Sequence, residues 1–173
     1  MRLPRNRTII GGLASAAVLA AVAAPATPAQ AQTDGTTTVT VAVAQVLTLT
    51  DLTAAVTLSG EPGETVLVTD AVSMTVSTNN LSGYTVTVVP NAAELTAESA
   101  GNTDTIPFSA VEVENATGGF ESLDPTTPVT VHTQATPSDE GGDTISHDYQ
   151  ITIPSVDADN YTGTVTYVAT ANL

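Results

Sequence analysis

Residues 76–89 read VSTNNLSGYTVTVV, two runs of alternating β-branched residues on either side of a polar connection that contains Gly83. Val72, Met74 and Val76 share one parity before the connection, and Tyr84, Val86 and Val88 share one after it. That period of two belongs to a strand with one buried face. Asn79–Gly83 offers residues that tolerate positive φ, so the stretch predicts a hairpin with Tyr84 as a core or rim anchor.

The same alternation extends in both directions. Val39, Val41, Val43, Leu47 and Leu49 share a parity broken only by Gln45, which predicts a long first strand over Thr36–Thr50. A strand of that length is expected to switch sheets inside one sandwich; its alternative is pairing across chains through an unpaired edge. Further runs predict strands at Ala55–Leu58, Thr65–Val68, Val72–Val76, Tyr84–Val88, Val111–Val113, Val129–Val131, Tyr149–Ile153 and Val165–Ala169. Clusters of Gly, Pro, Asn and Asp separate them, and Ala92–Ala97 predicts only a short turn. The fold expected is all-β, one antiparallel immunoglobulin-like β-sandwich across residues 32–173.

Arg2, Arg5 and Arg7 precede an apolar run from Ile9 to Ala24, followed by Pro25, Pro28 and the triplet Ala29-Gln30-Ala31. This order predicts a helical secretory signal peptide over residues 1–31, its apolar run shorter than the ~20 residues that cross a bilayer. Cleavage would leave a secreted or extracellular chain, held at the cell wall without a covalent link or free in the medium.

The chain has 3 Lys and Arg against 18 Asp and Glu. All three basic residues lie in the expected leader and every carboxylate lies beyond it. A surface of this kind repels nucleic acid, whose binding depends on Lys and Arg displacing condensed counterions. Anionic membranes are disfavoured for the same reason, leaving no membrane partner once the leader is removed. There is no Cys, so no disulfide, and no Lys beyond the leader to begin an isopeptide cross-link. Stability must therefore come from core burial, strand pairing or bound cations.

Three segments together carry a family resemblance: VSTNNLSGYTVTV, then TIPFSAV at Thr105–Val111, then YQITIPSVDADNYTGTVTYVATAN towards the end of the chain. They resemble the β-sandwich repeats of bacterial cell-surface proteins related to the WxL domain, and TVTVAVAQVLTLT is similar to the first strand of those domains. The resemblance implies a bacterial surface protein whose partner is a cell-wall polymer, a surface protein or a second copy of itself. The chain has no Trp, and so lacks the tryptophan motifs that name the family.

Candidate chemistry is sparse. Nucleophilic catalysis lacks a Cys and a G-x-S-x-G elbow, and only His132 and His147 are available to activate a hydroxyl. A secreted hydrolase would need one of them beside a carboxylate, and His147 adjoins Asp148 in a run where neighbours point to opposite faces. Calcium is the one ion the loops suit, through Asp157, Asp159 and Asn160 in SVDADNYTG and through Asp139, Glu140 and Asp143 in SDEGGD. Neither cluster has EF-hand spacing, and both equally suit solvated turns whose Asp and Asn bond their own backbone. The expectation is a non-catalytic structural or adhesive protein needing no cofactor, with a calcium-dependent binding module and a secreted hydrolase as alternatives.

Overall fold

A computed structural model describes residues 33–173, so the expected signal peptide lies outside the described residues. The strands in chain order are β1 (Leu47–Thr50), β2 (Thr65–Thr78), β3 (Tyr84–Pro90), β4 (Glu94–Ala97), β5 (Thr105–Pro107), β6 (Val111–Glu114), β7 (Phe120–Ser122), β8 (Val129–Gln134), β9 (Asp143–Thr152), β10 (Tyr161–Thr162) and β11 (Val165–Ala171). Among the described residues a single 3₁₀ turn, Phe108–Ala110, joins β5 to β6. The protein is all-β, and every strand pairing is antiparallel.

Five strands form one sheet in the order β1-β2-β9-β6-β7, three form a second in the order β11-β3-β8, and β10-β4-β5 form a third, smaller one. The decisive stretch therefore folds differently from the expected hairpin. Its two runs are β2 and β3, and these lie in different sheets with no ladder between them. Asn79–Gly83 is an arch between layers. Alternation alone does not separate the two outcomes, because both give each strand one buried face. The arch puts Val72, Met74 and Val76 and Tyr84, Val86 and Val88 into one shared core, as two facing sheets do.

Local chemistry fixes the arch. Asn80 N–H donates to Thr78 Oγ1, Gly83 N–H donates to Asn80 O, and Asn80 Nδ2 donates to Gly83 O and Asn172 O. Gly83 has φ 76°, and a Cβ there would meet the Gln134 carbonyl oxygen at 2.0 Å. No other residue fits that crossing.

Val72, Met74, Val76, Tyr84, Val86, Val88, Val113, Leu123, Val129 and Tyr149 are buried together, with Ile106, Phe108, Val111 and Ile151 from the neighbouring elements. Each such side chain contributes about 1.5–3 kcal/mol by leaving water. The arrangement is β-sandwich-like, with its core between facing sheets.

Three further expectations are corrected. Of the long first run only Leu47–Thr50 forms a strand, paired with β2 from Leu47↔Thr78 to Thr50↔Thr75. Ala55–Leu58 is not a strand, although Val56 and Leu58 pack on the core. Glu94–Ala97, expected as a turn, is a strand paired with β5 and β10. Residues Ala42–Leu173 form one compact unit, and residues 33–41 are exposed without regular secondary structure.

Candidate functional site

Two features stand apart from ordinary core and turn: a polar cluster inside the layers and an uncharged outer sheet face. The cluster begins with His147 and Tyr149 on β9, whose alternation points both inward. His147 Nε2 lies 2.7 Å from the hydroxyl of Tyr167 on β11, and Tyr149 Oη lies 2.6 Å from the same hydroxyl. A second crossing runs from Tyr84 on β3, whose hydroxyl donates to Asp143 Oδ2 on β9 at 2.8 Å. Both tie the five-stranded sheet to the three-stranded one. Buried polar links of this kind hold two layers in one register because a slip leaves their atoms unpaired.

His132 joins them through a bulge. The β3–β8 register shifts between Val86 and Thr87, and the extra residue turns His132 over the ring of Tyr84, with centroids 5.5 Å apart. His132 Nε2 and His147 Nδ1 are buried and have no hydrogen-bond partner among the described residues. Burial pushes the His147 imidazole down to about 4, with His132 adding to the effect and the carboxylate of Asp148 opposing it. Burial raises Tyr84, Tyr149 and Tyr167 above the ordinary phenol value.

His147 and Asp148, adjacent in sequence, do not pair, as the alternation of the run implied. Asp148 Oδ1 accepts from the Asp70 N–H, while His147 faces inward to Tyr167 and is 2% exposed. The alternation of β9 sends the two side chains to opposite faces.

The acidic loops are placed as follows. The Asp159 carboxylate accepts from Ser99 N–H, Ser99 Oγ, Asn102 Nδ2 and Asn160 N–H. Burial alone would raise its pKa, but these donors outweigh it and hold it below the usual carboxylate range. Asp157 uses backbone atoms, its N–H donating to Asp104 and its carbonyl accepting from Tyr161. Asp143 is held low in the same way, the Asp139 N–H and Tyr84 hydroxyl outweighing its burial. Among the described residues no three His, Asp or Glu side chains converge as a metal cluster. Asp139 and Glu140 line a shallow open depression with Val46, Ser77, Asn79 and Pro137.

The outer face of β11-β3-β8 is different in kind. Strand-by-strand register sets Thr170, Thr85 and Thr133 in one row, Val168, Thr87 and Thr130 in the next, and Thr166 beside Val89. No Asp or Glu occurs in any of these three strands, whereas the five-stranded sheet carries Asp70, Glu112, Glu114, Glu121, Asp143 and Asp148. Threonine gives a strand its β propensity and presents hydroxyls and methyls without charge. Upstream, Gly35–Thr50 is likewise free of charge, and Val39, Val41 and Val43 stand 82%, 80% and 80% exposed. The sequence held both signals as gaps between carboxylates. Only the topology shows that three of those gaps form one sheet.

No family model matches the chain, and no curated protein is found similar to it.

Proposed function

We propose that this chain is a secreted bacterial cell-surface or extracellular β-sandwich with a structural or adhesive role and no catalytic one. The observation that carries this reading is the uncharged threonine face of β11-β3-β8 on a chain whose described residues include no Lys or Arg. The centres of protein interfaces are depleted of charge, because desolvating an unpaired carboxylate costs more than the contact returns. Of all the strand surfaces described, this face therefore loses least when covered. A neutral cell-wall polymer, a surface protein or a second copy satisfies its hydroxyls.

The expected leader and the resemblance to WxL-related sandwiches support export to the surface. An immunoglobulin-like class draws support from the order β1-β2-β9-β6, which follows A-B-E-D, although β3 rather than a later strand is central in the second sheet. The test is fractionation of the producing culture into medium, wall and membrane, with release by high salt, by chelator or by denaturant alone. Recovery from wall or medium supports the proposal; retention in the cytoplasm refutes it.

A further inference from the structure

The alternating segment before β1 is a strand in sequence without a partner in the fold. Over Thr36–Gln45, TTTVTVAVAQ places Val39, Val41 and Val43 on one parity and Thr38, Thr40 and Ala42 on the other. The first parity is apolar, like the rows that bury in β2, β3, β6, β8 and β9, yet these valines are the most exposed large hydrophobics among the described residues apart from Leu81 and Leu173. Pairing of β1 with β2 stops at Leu47. Beyond it the Asn79 side chain takes over, accepting from Val46 N–H at 2.8 Å and donating to Ala44 O at 2.9 Å. Asn79 thus ends the ladder with a side chain and leaves the segment before Ala44 unpaired.

The fold also holds an edge suited to it. β11 is the outermost strand of the uncharged sheet; among the described residues its one ladder partner is β3, and β1 lies close to it without forming a ladder. Its inward parity is Val165, Tyr167 and Ala169, partly buried; its outward parity is Thr166, Val168 and Thr170. We propose that Thr36–Gln45 of one copy adds as a further strand to the β11 edge of a second copy.

Charge selects this occupant. The described residues carry no Lys or Arg, so two copies repel wherever their carboxylates meet. Gly35–Thr50 and Asn160–Leu173 contain no Asp or Glu, so these stretches approach each other without that cost. Backbone hydrogen bonds of an added strand are independent of sequence, and the two parities match: Val39, Val41 and Val43 continue the apolar row of Tyr167 and Ala169, while Thr38, Thr40 and Ala42 continue the threonine face. Donor and acceptor are different surfaces, so the contact is heterologous and extends head to tail into filaments. The inference rests on the structural role proposed above and names its partner as a second copy of this chain.

The absence of Cys makes the pairing measurable in the full chain. A chain carrying Val168→Cys is mixed, at raised ionic strength and under mild oxidation, with a chain carrying Thr40→Cys, Ala42→Cys, Val41→Cys or Leu81→Cys. Cross-strand neighbours on one face place Cβ atoms about 4.5–5.5 Å apart, close to disulfide range. Mixed dimer with Thr40→Cys or its parity neighbour Ala42→Cys is expected at about tenfold the yield given by Val41→Cys and by the exposed control Leu81→Cys. Replacing Val39, Val41 and Val43 together by Asn is expected to abolish assembly in sedimentation without lowering Tm. Equal cross-linking from all positions, or assembly that survives the triple substitution, overturns strand donation. A chain that fractionates with the wall yet stays monomeric at every concentration overturns strand donation alone and leaves the surface role standing.

Discussion

Replacing His147 by Gln should remove a defined part of the acid sensitivity of this fold. The imidazole is 2% exposed, with Nε2 committed to Tyr167 and Nδ1 without a partner, and burial pushes its pKa from 6.5 to about 4. The folded-state value lies below the unfolded one, so the unfolded chain takes up a proton that the folded chain refuses. The contribution is complete above 6.5 and is lost as pH falls through 6.5 towards 4. Between pH 7.5 and pH 5 the loss is about 2 kcal/mol, and the limit below pH 4 is about 3.4 kcal/mol, at 1.36 kcal/mol per pH unit. Gln keeps a polar group facing Tyr167 and does not titrate. Every other side chain is common to both proteins, so the difference between them isolates His147. Urea denaturation of wild type and His147→Gln at the two pH values is the assay, and wild type should lose about 2 kcal/mol more than the variant, equivalent to about 6 °C in Tm. Equal losses would show that His147 is protonated inside the fold or that the ring is hydrated, and would refute the reasoning.

Gly83→Ala combines a positive φ with a Cβ 2.0 Å from the Gln134 carbonyl, so it should cost about 3 kcal/mol or more and reduce soluble yield, measured by thermal melting. Tyr167→Phe strips the hydroxyl shared by His147 and Tyr149, leaving two buried polar groups unpaired; a loss of about 2 kcal/mol is expected in denaturant titrations, and a neutral result would mean the two sheets are not tied there. Monovalent salt should raise Tm by screening the carboxylates. Calcium at matched ionic strength should raise it no further, because the Asp159 and Asp143 carboxylates already accept several protein donors.

How much of this was legible beforehand depended on whether a residue's partner was local. Val72, Met74 and Val76, and Tyr84, Val86 and Val88, were identified as buried faces because alternation is a property of each strand alone. Their relation was not legible: hairpin and arch share the same alternation and the same Asn-Gly connection, and the outcome is set by what else pairs, β9 with β2 and β11 with β3. Thr36–Gln45 had the strand signal without the strand, since a strand needs an edge and Asn79 closes the one adjacent to it. Glu94–Ala97 had the opposite fate, a weak local signal made into a strand by β5 and β10. Asp157, Asp159 and Asn160 were visible as a cluster, but the donors Ser99 and Asn102 that occupy Asp159 come from a distant loop. The polar crossing of His147, Tyr149 and Tyr167 was invisible for the same reason: its members only meet once the layers face each other.

The central claim is that this chain works outside the cell. Leu81, in the arch, is 84% exposed, and the sequence contains no Cys, so Leu81→Cys gives one reactive thiol on a native fold. Intact producing cells and their medium are treated with a maleimide that does not cross membranes. The account predicts labelling of the variant before lysis, in the wall fraction or the medium. Labelling that appears only after the cells are broken would contradict it.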